Sequence, residues 1–241
     1  MKIKAILFDI DGTLVDSNDM HILAWEAAFA DGGHAVDRSD IHGQIGKGAD
    51  MLIPSLLPGL GEGEQEALAN KQGEVFKSRY LAEVKPFAQA RELLAHVQAN
   101  GQTVVLATSS SSDQLEHYLG LLDAHDLVTA TTTSEDVEKT KPAPDIFAAA
   151  LAKLPGLQPG EVLVVGDTPY DIQAASKCGI ATVAVRSGGF ADEDLRDAGA
   201  LEIYDDVAAI LADYDGSPLG APGMAELLGS DAVAAATSLP G

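Results

Sequence analysis

Two carboxylates lie two residues apart at the end of an apolar run near the amino terminus. The run ends in Phe8-Asp9-Ile10-Asp11-Gly12, and the glycine allows the chain to turn. Side chains need not alternate beyond the end of a strand, so Asp9 and Asp11 can face the same point. Such a pair suits a divalent cation, or a nucleophile with an acid–base partner. An ordinary strand-to-turn junction would produce the same local pattern.

A second pair of acids follows another apolar run, which reads Val164-Val165-Gly166-Asp167, with Asp171 four residues further on. Asp171 is also typical of the first turn of a helix, where the helix dipole favours an acid. Asp167 would share a crevice with Asp9, and clustered acids repel one another unless a cation is bound. Mg²⁺ prefers a few carboxylate oxygens, often with a substrate phosphate. The two pairs therefore support a divalent-cation site.

Hydroxyls and a lysine complete the set of residues that could do chemistry. Thr108 and Ser109 end a third apolar run, and a hydroxyl there can donate to a phosphoryl oxygen. A serine-rich helix cap explains this segment equally well. Lys141 precedes a segment that starts a helix with proline. In an acidic chain, a lysine at a carboxylate-lined crevice can keep a nucleophile ionised and bind phosphate as a point charge.

The elements that must position these residues alternate between strands and helices, which predicts an α/β fold with a doubly wound parallel sheet. The apolar runs are nearly continuous, as expected for strands covered on both faces. Ligands of such sheets bind beyond the carboxyl ends of the strands. The predicted strands are Ala5–Asp9, Thr103–Thr108, Leu127–Thr131, Val162–Gly166, Thr182–Val185 and Leu201–Tyr204, and the predicted core helices are Gln89–Asn100, Ser112–Leu121, Pro144–Leu154, Asp171–Cys178 and Val207–Asp213.

The alternation is interrupted once, between the first strand and Thr103. The connection is far longer than usual, and Met20–Ala30 and Gln65–Leu81 within it have helical patterns. We therefore expect a small helical insert at residues 16–85 in a core of residues 1–15 and 86–212. Residues 213–241 are rich in Gly, Ala, Ser and Pro, which predicts a low-complexity C-terminal tail with Met224–Ala236 as a weak helix.

The composition limits the partners that the chain can bind. Its 241 residues include 15 Lys and Arg and 37 Asp and Glu, a formal net charge of −22. That charge repels nucleic-acid backbones and anionic membrane surfaces, so we expect neither as a partner. Cys178 is the single cysteine, and no apolar stretch has the length of a signal sequence core or a membrane helix. These features predict a cytoplasmic protein, while its oligomeric state is not indicated.

The four motifs, in this order along the chain, resemble those of the haloacid dehalogenase superfamily. The resemblance depends on Asp9–Leu14, Thr108, Lys141, and Asp167 with Asp171, and it extends over about residues 1–212. It implies a Rossmann-like core with a small helical cap after the first motif, where the long connection lies. It also implies a Mg²⁺-dependent phosphatase that acts on small phosphomonoesters, such as phosphoglycolate or a sugar phosphate, through an aspartyl-phosphate.

The resemblance further implies a role for each motif residue. Asp9 would be the nucleophile, and Asp11 the acid–base residue that protonates the leaving oxygen and then activates water. Thr108 and Lys141, with Ser109 beside them, would bind the phosphate. Mg²⁺ would be bound by Asp9, Asp167 and the backbone carbonyl of Asp11, and Asp171 would support that site.

Other activities within the superfamily compete with this interpretation. Dehalogenases lack the second acid and need no metal, so Asp11, Asp167 and Asp171 argue against dehalogenation. The β-phosphoglucomutase branch is a closer alternative, because His21 and Trp25 resemble its cap residues at matching distances and Lys71 resembles a cap lysine. That branch usually has adjacent Glu-Asp in its last motif, whereas Gly166-Asp167 with Asp171 resembles phosphoglycolate phosphatases. A binding protein that has lost turnover is the non-enzymatic alternative.

The cap segment 42–50, which reads HGQIGKGAD, is the expected specificity element. Its glycines allow close backbone approach, and Lys47 can offer positive charge to an anionic substrate. A plain turn between cap helices would have the same composition. His21 and Lys47 are therefore candidate substrate contacts of the cap, although a histidine on a helix is more often structural.

Overall fold

A six-stranded parallel sheet forms the centre of the computed structural model, which describes residues 2–220. The strands of this sheet are β1 (Ala5–Phe8), β4 (Thr103–Ala107), β5 (Ala130–Thr132), β6 (Val162–Gly166), β7 (Ala181–Val185) and β8 (Glu202–Tyr204). Their spatial order is β5-β4-β1-β6-β7-β8, and every neighbouring pair is parallel. The chain moves outward from β1 through β4 and β5, then returns to the other side of β1 with β6.

The reversal beside β1 determines where ligands bind. All strands end at the same edge of the sheet, and a crevice opens there where the strand order reverses. Every residue of β1 and of β6 is buried, because helices cover both faces of the sheet. The predicted α/β class and doubly wound sheet are confirmed. The covering helices are α5 (Ala90–Ala99), α6 (Ser112–Leu122), α7 (Asp145–Ala152), α8 (Pro169–Lys177), α9 (Asp192–Ala198) and α10 (Val207–Ala212).

The insertion after β1 is helical and has its own apolar cluster, which includes Ile22, Trp25, Phe29, Ile41 and Leu52. A two-stranded antiparallel ribbon joins it to the core, with Val15 opposite Pro86 and Asp16 opposite Lys85. The cap elements are β2 (Val15–Asp16), α1 (Asn18–Asp31), α2 (Arg38–His42), α3 (Ala49–Leu56), α4 (Glu62–Val75), a π-helical turn (Phe76–Tyr80), a 3₁₀ turn (Leu81–Glu83) and β3 (Lys85–Pro86).

Several predicted elements differ in detail from the structure. The third predicted strand, Leu127–Thr131, begins late at Ala130, because Leu127 packs in a turn before the strand. The helix predicted from Asp171 begins at Pro169, since Thr168 forms a capping box with Asp171. The helix predicted over Gln65–Leu81 changes after Val75 into the π-helical and 3₁₀ turns. The short helices α2, α3 and α9 have no counterpart among the predicted elements.

The start of the predicted tail packs against the core. Tyr214 and Leu219 are buried in the main apolar cluster, and Gln102 donates to the carbonyl oxygen of Leu219 at 2.8 Å. The predicted helix Met224–Ala236 lies outside the described residues. Within residues 2–220, none of the helices is long and apolar enough to cross a membrane.

Candidate active site

The carboxyl ends of three neighbouring strands bring the predicted acids and hydroxyls together. Asp9 directly follows β1, Asp167 directly follows β6, and Thr108 directly follows β4 on the other side of β1. Asp9, Asp167 and Asp171 are all buried, and each offers a carboxylate oxygen within 4.8 Å of those of the other two. Asp9 of the first acid pair therefore meets both acids of the second pair, which lie more than 150 residues further along the chain.

Lys141 is the cation of this cluster. Its Nζ lies 2.5 Å from Asp9 Oδ1 and 2.7 Å from Asp171 Oδ1, and it also donates to the carbonyl oxygen of Ala107. The side chain is only 1% exposed. Burial acts to lower the pKa of Lys141, but Asp171 and Asp9 raise it above its usual range. The lysine is therefore a fixed positive charge against the proposed nucleophile.

One ammonium does not balance three buried carboxylates. Burial and the neighbouring Asp171 raise the pKa of Asp9 to about 7, although Lys141 opposes the shift. Burial, Asp171 and Asp9 raise the pKa of Asp167 well above its usual range. An oxygen-rich pocket with excess negative charge is the environment that a hard divalent cation prefers.

The surroundings of Asp167 hold its carboxylate in a fixed position. Thr13 and Asn18 donate to its two oxygens at 3.0 and 2.9 Å. A Cβ on Gly12 or on Gly188 would overlap Asp167 Oδ2, so only glycine fits at these positions. Asn18 Oδ1 is buried and has no hydrogen-bond partner among the described residues. Three clustered carboxylates and a buried amide oxygen without a partner fit Mg²⁺. Asp9, Asp167 and the backbone carbonyl of Asp11 are the proposed ligands, with Asp171 in support.

Removing the Asn18 side chain tests this fit without any enzyme assay. We expect Asn18→Ala to weaken Mg²⁺ binding by about tenfold or more, because groups that orient metal ligands typically contribute that much. Titration calorimetry with Mg²⁺ measures the change directly. Asn100→Ala, an exposed amide on the core, is the matched control and should bind Mg²⁺ like the parent. Equal affinity in both variants would contradict a role for Asn18 at the metal.

Asp11 is surrounded by hydrogen-bond donors. Ser17 and Ser110 each donate a hydroxyl at 2.6 Å, Tyr118 donates at 2.8 Å, and His21 Nε2 lies 3.1 Å away. Burial alone would raise the pKa of Asp11, but His21 and the serine hydroxyls lower it below its usual range. This arrangement holds Asp11 as a carboxylate.

His21, a candidate from the sequence, contacts Asp11 from the first turn of the cap helix α1. Its ring stacks on Phe76 with 3.9 Å between the centroids, and Gln72 Nε2 lies 3.2 Å from its Nδ1. The imidazole is thus held at a fixed angle to the Asp11 carboxylate. This geometry makes His21 part of the Asp11 environment rather than a solvated cap residue.

The predicted phosphate-binding hydroxyls are held in different ways. The backbone N–H of Thr108 donates to Thr132 within the sheet, and its Oγ1 accepts from the N–H of Ser110 at 3.0 Å. The Thr108 hydroxyl hydrogen remains for a phosphoryl oxygen, whereas its N–H does not. Ser109 instead donates its hydroxyl to the carbonyl oxygen of Gly46 in the cap, at 3.3 Å.

A cavity of about 500 Å³ separates the cap from the core above Asp9 and Asp11. Lys47 lines it, but its ammonium contacts Gln44 Oε1 at 2.5 Å and Ser55 Oγ at 3.1 Å, and it lies over the Tyr170 ring. Lys71, the lysine compared with the mutase branch, pairs instead with Asp31 and Glu74 at the surface. The other cap residues lining the cavity include Trp25, Ile45, Asn70, Gln72 and Gly73.

Sequence reasoning missed the residues that hold the acids in place. They are Thr13 and Asn18 at Asp167, and Ser17, Ser110 and Tyr118 at Asp11. Thr13, Ser17 and Asn18 follow closely after Asp11, so their position beside the motif was an available signal. The sequence held no signal for Tyr118, because this residue lies on α6 with the spacing of an ordinary buried core residue.

Comparison with known proteins finds a matching family and several similar proteins. The haloacid dehalogenase-like hydrolase family model matches residues 6–185. A phosphoglycolate phosphatase from Yersinia pestis is 32% identical over 191 residues, which are 77% of this chain and 82% of that protein. A hydrolase structure from Pseudomonas syringae has a TM-score of 0.83 and 30% identity, covering 88% of this chain and 98% of that one. A candidate beta-phosphoglucomutase from Bacteroides vulgatus has a TM-score of 0.82 and 26% identity, covering 91% of each chain.

Proposed function

The chain belongs to the haloacid dehalogenase-like hydrolase family, and on this premise we propose that it is a Mg²⁺-dependent phosphatase of small phosphorylated metabolites. The proposal places the reaction on Asp9, through an aspartyl-phosphate, and places the enzyme in the cytoplasm. Its main support is the buried contact between Lys141 and Asp9. Asp9 and Asp11 both line the cavity between cap and core. Phosphoglycolate and sugar phosphates are the substrate classes proposed.

In the first half-reaction, a carboxylate oxygen of Asp9 attacks phosphorus as the bond to the leaving oxygen breaks. Phosphoryl transfer has a loose transition state, so the protein contributes mainly position and charge neutralisation. Lys141 and the Thr108 hydroxyl would hold the phosphoryl oxygens, and a bound Mg²⁺ would neutralise the repulsion between Asp9 and the anionic substrate.

Asp11 would transfer protons in both halves of the reaction. The four contacts described above favour its ionised form, which is the form that takes a proton from water when the aspartyl-phosphate is hydrolysed. To protonate the leaving oxygen, Asp11 must first gain a proton and give up one of these donors. The site therefore has to rearrange around Asp11 when substrate enters.

Release of inorganic phosphate from a panel of esters tests the proposed function. The panel contains phosphoglycolate, hexose and pentose phosphates, nucleoside monophosphates and p-nitrophenyl phosphate, each with Mg²⁺ and with EDTA. We expect Mg²⁺-dependent release from at least one metabolite, abolished by EDTA. A protein that releases phosphate from none of them but binds Mg²⁺ would fit the non-enzymatic alternative.

A mutase is the second candidate, and the contact of His21 with Asp11 is the observation that favours it. For a phosphatase, we expect His21→Gln to lower phosphate release by no more than about a hundredfold, since His21 acts through Asp11. For a mutase, the same change should abolish conversion of a hexose 1-phosphate to the 6-phosphate in the presence of a bisphosphate activator. Coupled assays of both activities in parent and variant decide between the candidates.

A further inference from the structure

A cap residue outside the predicted site is bonded to the core directly beside Lys141. Asp50, in the first turn of α3, accepts two hydrogen bonds from Thr140: one from its N–H at 3.0 Å and one from its hydroxyl at 2.5 Å. Thr140 Oγ1 in turn accepts from the N–H of Gly48 at 2.9 Å. We call this set of contacts the Asp50–Thr140 clasp.

The clasp requires close approach of the cap backbone. Thr140 is buried, and a Cβ on Gly48 would lie 2.5 Å from Thr140 Cγ2 and 2.6 Å from its Oγ1. Any larger residue at position 48 would therefore push the cap backbone away from the core loop that contains Thr140. Both hydrogen bonds from Thr140 end on the Asp50 carboxylate, and bonds to a carboxylate are typically stronger than those between neutral groups.

The clasp acts on the loop that carries Lys141. This loop runs from residue 133 to residue 144, between β5 and α7. Its one regular element is a short 3₁₀ turn, Ser134–Asp136. Thr140 is bonded directly to Lys141, whose Nζ lies 2.5 Å from Asp9. Asp50 and Thr140 also line the cavity. The position of the cap and the position of the catalytic lysine are thus linked through one peptide unit.

We propose that Asp50 is a positioning residue: when the cap closes, the Asp50–Thr140 clasp fixes the loop and sets Lys141 against Asp9 for phosphoryl transfer. When the cap opens for product release, both hydrogen bonds to Asp50 break and the loop is freed. This inference rests on the proposed phosphatase function. The clasp differs from a simple packing contact because losing it should lower the rate of turnover and not the stability alone.

A double-mutant cycle tests the clasp, using p-nitrophenyl phosphate with Mg²⁺. We expect Asp50→Ala, which removes both hydrogen bonds, to lower kcat by about tenfold with KM changed less. Thr140→Val keeps the backbone N–H bond to Asp50 and should lower kcat less, and the double variant should lose little more than Asp50→Ala. Thr140→Ser keeps the hydroxyl and should retain most of the parent kcat. Asp40→Ala removes an exposed acid from the cap and is the matched control. A double variant whose loss of kcat equals the product of the two single losses would overturn the proposal. So would single variants that have a lower Tm but an unchanged kcat.

Hydrogen exchange provides a second readout that needs no turnover. Because the Thr140 N–H donates to Asp50, peptides covering residues 137–144 should exchange faster in Asp50→Ala than in the parent or in Asp40→Ala. Equal exchange in all three proteins would overturn the clasp. A parent enzyme without phosphatase activity would instead contradict the proposed function, and the exchange result would still report on the loop.

Discussion

Phosphate release should fall by a factor on the order of 10⁴ or more in an Asp9→Asn variant, to the background of the assay. The amide has nearly the shape of the carboxylate but cannot act as the attacking oxygen, so no aspartyl-phosphate can form. The contact with Lys141 also changes, because an amide oxygen attracts the ammonium less than a carboxylate that lies 2.5 Å away. The measurement is inorganic phosphate release from the best ester of the panel, with Mg²⁺.

The fold of this variant should survive. Asp9→Asn removes one of three mutually repelling buried carboxylates, so its metal-free Tm should be no lower than that of the parent. Asp16→Asn, an exposed acid seven residues further along the chain, is the matched control and should keep full activity. Retention of more than about 1% of the parent rate in Asp9→Asn would show that Asp9 is not the nucleophile.

Lys141→Met should have the second largest effect, and it acts on stability as well as on activity. Methionine fills much of the lysine volume, but it leaves the carboxylates of Asp9 and Asp171 buried without their cation. Removing one partner of a buried ion pair typically costs about 3–5 kcal/mol. We therefore expect a loss of that size in the metal-free free energy of unfolding, together with a fall in phosphate release of about a hundredfold or more.

Urea unfolding with and without Mg²⁺ separates the two effects. Since a divalent cation would replace part of the missing positive charge, Mg²⁺ should raise the unfolding midpoint more in Lys141→Met than in the parent. Activity should remain low at saturating Mg²⁺, because the phosphoryl oxygens still lack the ammonium. Lys139→Met, an exposed change in the same loop, should behave like the parent. Parent-like stability and activity in Lys141→Met would contradict both roles.

The fold could be predicted because its signals are local. A continuous apolar run such as Val162–Gly166 indicates a strand covered on both faces, and the same reasoning applies to Ala5–Phe8. Parallel strands of one sheet end at one edge, so the order of the motifs along the chain is enough to predict that they meet there. Ala130–Thr132 is only partly buried and has a weak pattern, while the apolar Leu127 packs in the turn before it, so the predicted strand starts three residues too early.

The contacts that complete the site could not be predicted, because they join residues that are distant in the chain. Tyr118 reaches Asp11 across 107 positions, and Thr140 reaches Asp50 across 90. The residues next to a tyrosine in a helix, or to a threonine in a loop, do not indicate which distant side chain it will hydrogen-bond. The first pair meets within the folded core, and only the packing of the cap on the core brings the second pair together.

The ribbon formed by β2 and β3 has a consequence for engineering and for divergence within the family. The two segments that connect the core to the cap lie side by side, since Asp16 is opposite Lys85. A foreign insert of different length could therefore be grafted there without disturbing the sheet. Asn18 and His21 nevertheless contact Asp167 and Asp11 from the first turn of α1. A graft that exchanges substrate preference should keep them and begin at Ile22.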